Sequence, residues 1–133
     1  MSKLIKNWLP PLIWAGLIFF LSHQPDLKSD LSFSWDLILR KLAHLTEYLV
    51  LTLLLVRAFA QSFTQYQISF PKILFWAGIL SLGYAFSDEY HQTFILGREG
   101  SLRDVGVDTL GILLAIFFLW KRQRASENKK VSS

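Results

Sequence analysis

Four long apolar runs in a chain of 133 residues, three of them carrying ionisable side chains, constrain this sequence more than any other feature. Trp8 to Leu21 (WLPPLIWAGLIFFL) holds no charge, and with its flank from Ile5 it is long enough for a hydrocarbon core of about 30 Å. Leu42 to Phe59 forms a second run, Ile73 to Phe86 a third that reaches Phe94 if its polar residues are tolerated, and Val105 to Trp120 a fourth. A soluble helical core is the alternative, but a soluble helix buries one stripe, whereas Leu49 to Leu55 (LVLTLLL) and Ile112 to Trp120 (ILLAIFFLW) are apolar on every face. With 52% hydrophobic and only 18% charged residues, too little polar surface remains to cover four such helices. Zero cysteines exclude a disulfide framework, a thiolate metal site and a thiol nucleophile.

Expected spans are therefore residues 5–23, 40–60, 72–94 and 104–120, with a polar tail over 121–133, in a single domain covering 1–133. Pro25 to Ser34 and Gln61 to Ser69 read as loops. Pro10 and Pro11 are expected in the first turn of the first helix, where missing amide donors cost least. Lys3 and Lys6 before an apolar run also resemble a secretory leader. Ser22-His23-Gln24-Pro25-Asp26 offers no pair of small residues for cleavage, which favours a retained helix.

Basic residues near span ends set orientation. Lys3, Lys6, Arg57, Lys72, Lys121, Arg122, Arg124, Lys129 and Lys130 fall on one side with a single acid, Glu127. The other side holds Lys28, Arg40, Lys41, Arg98 and Arg103 against nine acids, Asp26, Asp30, Asp36, Glu47, Asp88, Glu89, Glu99, Asp104 and Asp108. A four-transmembrane-helix bundle with both termini cytoplasmic satisfies the rule at every loop, and makes this an all-α, multi-pass protein of the cell membrane. The basic tail then faces anionic lipid, which accounts for the net charge of +4 without nucleic acid.

An ionisable group at membrane depth is costly and normally faces a partner or a water-filled cavity. In the second run Lys41, His44, Glu47 and Tyr48 share one helical face. Glu47 lies ten residues from Arg57, about 15 Å along the axis. In the third, Tyr84, Asp88, His91 and Gln92 make a second stripe with Ser87 and Glu89 beside it, and in the fourth Asp104 and Asp108 are one turn apart, followed by Gly111. Ser22, His23 and Gln24 end the first run at the same level. Four short helices leave these stripes little choice but to face one another, so one shared polar pocket is expected on the side away from the cytoplasm. Trp8, Trp14, Trp76 and Trp120 read as interfacial anchors or lipid-facing bulk, and His23 as a helix-end residue outside the site.

Three ordered segments make the chain resemble the VanZ-like family: Arg40-Lys41-Leu42-Ala43-His44-Leu45-Thr46-Glu47-Tyr48, then Ser87-Asp88-Glu89-Tyr90-His91-Gln92-Thr93-Phe94, then Gly97-Arg98, Ser101, Asp104, Asp108 and Gly111. The resemblance covers nearly the whole chain. It implies that Lys41, His44 and Glu47, then Asp88, Glu89, His91 and Gln92, then Arg98, Asp104 and Asp108 are the polar hallmark positions. Leu96 stands where many members have Pro before Gly-Arg. The family takes its name from a membrane protein linked to low-level resistance to the glycopeptide teicoplanin, so the resemblance implies a bacterial cell-envelope setting and supplies no reaction.

Several functions fit these residues. Lys41, Gln92, Arg98, Arg103, Asp104 and Asp108 are candidates for holding a lipid or glycan head group, because the planar fork of Arg suits phosphate. The competing role for these bases is to neutralise Glu99, Asp104 and Asp108 and lock the helices together. For a membrane-embedded hydrolase or transferase acting on a lipid-linked envelope precursor, the catalytic candidates are His44, Glu47, Asp88, Glu89 and His91, working as base, acid or orienting partner. No nucleophile elbow, phosphate loop or cofactor motif is visible, and no cofactor is expected. A metal version would use His44-x-x-Glu47 with Asp88-x-x-His91, although Lys41 and Arg98 compete with a cation there. Proton-coupled transport would need a homo-oligomer, with Gly106 and Gly111 permitting close helix packing. Partners expected are membrane lipids, a lipid-linked precursor or a second copy of the chain.

Overall fold

A computed structural model describes residues 2–25 and 33–132, and among these described residues the chain forms four α-helices. They are α1 (Lys3–Ser22), α2 (Phe33–Ser62), α3 (Phe70–Gln92) and α4 (Leu102–Val131), with one 3-10 turn at Thr64–Tyr66 between α2 and α3. Asp26, Lys28 and Asp30, which enter the charge asymmetry, lie outside the described residues.

Local chemistry places the helix ends. Ser2 caps α1, its hydroxyl accepting from the Ile5 amide. Because helical structure starts there, Pro10 and Pro11 sit inside α1 rather than in its first turn. Ser101 caps α4 by accepting from the Arg103 amide. Pro71 opens α3 where a missing amide costs nothing. Two helices outrun their apolar runs: α2 begins seven residues before Arg40, and α4 continues past Trp120 through the basic segment to Val131.

Side-chain contacts fix an up-down-up-down arrangement. Trp8 near the start of α1 reaches Ser62 at the end of α2. Thr52 of α2 meets Ser81 of α3. Tyr84 of α3 bonds to the Ala15 carbonyl of α1, and Ser22 bonds to Asp88, so α1 and α3 run the same way. The pairs Lys41–Asp104 and His44–Asp108 make α2 and α4 parallel. α2 is central, packing most extensively on α4 and also on α1 and α3. At the α2–α4 crossing, a Cβ on Gly111 would collide with the Leu45 carbonyl, so only glycine lets these backbones approach so closely. Gly106 has open space where its Cβ would be.

An apolar core that includes Ile18, Leu51, Leu55, Leu74 and Ile112 adjoins a buried polar layer, and the exterior is more apolar than that of a water-soluble bundle. Fully or nearly buried side chains include Ser22, His44, Thr52, Ser81, Asp88, Glu89, Gln92 and Asp108. Leu12, Ile13, Phe20, Phe75, Trp76, Phe86, Phe117 and Phe118 are exposed. Large exposed apolar surface around an interior that buries Asp, Glu and His suits a lipid surround. Among the described residues α1, α2 and α3 are long and apolar enough to cross a membrane. α4 is not one of them, because Asp104 and Asp108 at one end of its apolar run and Lys121 and Arg122 at the other raise its charge content.

Candidate functional site

The antiparallel order puts the C-terminal ends of α1 and α3 beside the N-terminal halves of α2 and α4, and the ionisable residues collect there. His44, one turn after Lys41 on α2, turns into the bundle, and its Nδ1 lies 3.1 Å from Asp108 Oδ1 of α4. Asp108 is fully buried. One turn outward, Lys41 Nζ lies 3.6 Å from Asp104 Oδ1, so the two helices pair at successive turns. Tyr48, one turn inward from His44, is fully buried with an unpartnered hydroxyl.

From α3, Asp88 points toward α1 and Glu89 toward α4. Asp88 Oδ2 accepts from Ser22 Oγ at 2.8 Å and from Gln92 Nε2 at 3.3 Å. Glu89 Oε2 accepts from the Ser101 amide at 2.9 Å. That approach needs a small residue at position 100, where a Cβ would meet the Glu89 carbonyl and the Thr93 methyl. Each of these carboxylates still has a buried oxygen without a partner: Asp88 Oδ1, Glu89 Oε1 and Asp108 Oδ2. A ring nitrogen of His44 and one oxygen each from Glu89 and Asp108 lie within 4.8 Å of one another.

Arg98 follows the left-handed turn at Gly97, which only glycine adopts without strain. Its guanidinium donates to the Gln24 carbonyl (Nε, 2.9 Å), the Leu21 carbonyl (3.3 Å) and Gln92 Oε1 (3.5 Å). It therefore satisfies carbonyls that the end of α1 would leave without a helical donor. A cavity of about 340 Å³ opens here, lined by Leu21, Ser22, Gln24, Pro25, Asp36, Leu39, Arg40, Ala43, His44, Glu47 and Arg98. Its wall mixes aliphatic side chains with two guanidinium groups, two carboxylates and an imidazole.

Most of the residues singled out from sequence fall into two clusters. Lys41, His44, Glu89, Asp104 and Asp108 join α2, α3 and α4, while Asp88, Gln92 and Arg98 join α3 and its loop to α1; half-buried Glu47 lies within electrostatic reach of His44, Asp88, Asp108 and Arg98. His91 is set apart, its Nε2 3.1 Å from His23 Nδ1 and its ring against Phe19. Arg103 is exposed and outside the cavity wall. His44 is thus grouped with Glu89 and Asp108 rather than with Asp88 and His91.

Some participants were invisible in the sequence pattern. His23 touches His91 instead of standing alone. Trp8 and Trp14 are interhelical donors, to Ser62 Oγ at 3.0 Å and the Glu47 carbonyl at 2.9 Å, so neither is simple lipid-facing bulk. Trp76 is exposed, and Trp120 is exposed beneath Arg124. Arg40 enters the cavity wall while pairing with Asp36 at 2.9 Å, a position signalled only by its place one residue before Lys41.

Comparison with known proteins adds a family. A family model described as VanZ/LLP1 matches residues 7–123, nearly the whole chain. No curated protein and no solved structure matches it.

Proposed function

The chain belongs to the VanZ/LLP1 family, and on that premise we propose that it is a four-span protein of the bacterial cell membrane that holds the polar head of an amphipathic envelope molecule, lipid or lipid-linked glycan. Both termini are cytoplasmic in this reading and α4 is the fourth span, its central apolar run flanked by Lys121 and Arg122 on the inner side. The polar end of the bundle then lies in the outer leaflet. The observation that carries the reading is the cavity of about 340 Å³ beside α1, whose wall combines Arg40 and Arg98 with Leu21 and Leu39. Guanidinium groups favour phosphate or carboxylate, and the aliphatic wall favours the first methylenes of a chain. An influence on teicoplanin susceptibility would follow if the bound head group belongs to a cell-wall precursor.

Ala43 tests this without disturbing the ionisable groups, because it is exposed and lines the cavity. Native mass spectrometry of the detergent-purified protein should show retained phospholipid or lipid-linked precursor. Ala43→Phe should reduce that retention at least tenfold. Equal retention by the variant would refute the cavity as the binding place.

A second reading rests on His44, which lines the cavity while Asp108 holds its ring from behind. That is the arrangement of a general base and its orienting carboxylate. Turnover of a lipid-linked precursor, abolished in His44→Gln, would support a hydrolase or transferase over a binding protein.

A further inference from the structure

We propose that His44, Glu89 and Asp108 together bind one divalent transition-metal ion, at a site distinct from the lining of the head-group cavity except for His44. Three helices supply the ligands, α2, α3 and α4, and the donor atoms already lie within 4.8 Å of one another. In a tetrahedral zinc site donor atoms are separated by about 3.4 Å, so the set draws closer on ligating an ion.

Three observations point to a cation. All three side chains are more than nine-tenths buried, with His44 at 7%, Glu89 at 5% and Asp108 at 0% exposure. Glu89 Oε1 and Asp108 Oδ2 are buried without any hydrogen-bond partner, a costly state for carboxylate oxygens that a metal would relieve. The second oxygen of Glu89, Oε2, is held from outside the set by the Ser101 amide, as outer contacts orient ligating carboxylates, while Asp108 Oδ1 lies 3.1 Å from His44 Nδ1 within it.

The cations that would compete have other partners. Lys41 is engaged by Asp104, and Arg98 donates to backbone carbonyls and Gln92. Neither is within ion-pairing distance of Glu89 or Asp108. One imidazole with two carboxylates favours zinc or manganese over magnesium or calcium, which take oxygen donors. Three protein ligands also leave a coordination position open, as catalytic rather than structural sites do.

The test is elemental analysis of the full chain purified in detergent without chelator, followed by removal of metal with EDTA and titration with Zn²⁺ or Mn²⁺. About one equivalent per chain is expected, with a rise in thermal unfolding midpoint on adding metal. Glu89→Gln and Asp108→Asn should each weaken binding at least tenfold and lose the thermal rise, whereas exposed Glu99→Gln should bind as the parent does. Less than a tenth of an equivalent of both metals, or undiminished binding by Glu89→Gln, would overturn the site. Binding of Mg²⁺ alone would overturn the part assigned to His44. Ala43→Phe separates the two readings: it should lose lipid and keep metal.

Discussion

Single hydrogen bonds carry unusual weight where carboxylates are buried. Ser22 donates to Asp88 at 2.8 Å, and the only other contact to that oxygen among the described residues is Gln92 at 3.3 Å. Removing a donor to a buried charged acceptor costs about 1.5–3 kcal/mol. Ser22→Ala should therefore lower stability by about 2 kcal/mol in an equilibrium unfolding titration in detergent, with little change in helix content. At this scale the sequence was informative about which residues turn inward and silent about their partners. Helical spacing put His44 and Tyr48 on one face and Asp88 and Gln92 on another. Glu89 looked like a neighbour of the second stripe, and it is instead the residue that turns toward α4, because one step along a helix rotates the side chain by about 100°. Arg98 was read as a head-group ligand or a partner for acids, and its guanidinium has the further task, unread in the sequence, of closing the end of α1. Carbonyls left bare by a helix terminus are not marked by any residue type.

Helix packing is decided at a few positions. Gly106 and Gly111 both qualified from sequence as close-approach residues, and only the second one is used, against the Leu45 carbonyl. Overpacking a tight contact costs about 1–3 kcal/mol, while alanine replaces glycine in an open helical position with a gain of up to about 1 kcal/mol. Unfolding measurements should accordingly show Gly111→Ala destabilised by at least about 1 kcal/mol and Gly106→Ala at or above parental stability. Equal effects would mean that α2 and α4 do not approach as described. Element boundaries were the least legible part of the sequence. The apolar runs located the helices, but α2 starts earlier and α4 ends later than those runs, since backbone helicity does not stop where lipid-compatible side chains do. Pro10 and Pro11 marked a false start for the same reason: the Ser2 cap, not the prolines, begins α1.

For the molecule as a whole, an apolar exterior around buried Asp, Glu and His is the property most plainly written in the sequence. It follows from composition and from runs such as Ile112 to Trp120, which no arrangement in water could shield. The proposed transmembrane orientation rests on charge counting and has its own test. Because the chain has no cysteine, single-cysteine variants give background-free labelling. Glu99→Cys should react with an impermeant maleimide in intact cells, and Asn128→Cys only after permeabilisation. The opposite pattern would invert the bundle and place the polar cavity toward the cytosol.

α4 also has a mechanical character. It runs unbroken from Leu102 to Val131, so Asp108 and Lys130 stand about 33 Å apart along one continuous helix. Pivoted midway between them, a helix that leans by about 10° swings each residue through about 3 Å, roughly the length of one hydrogen bond. A tilt of α4 relative to α2 would therefore change the 3.1 Å separation between Asp108 and His44.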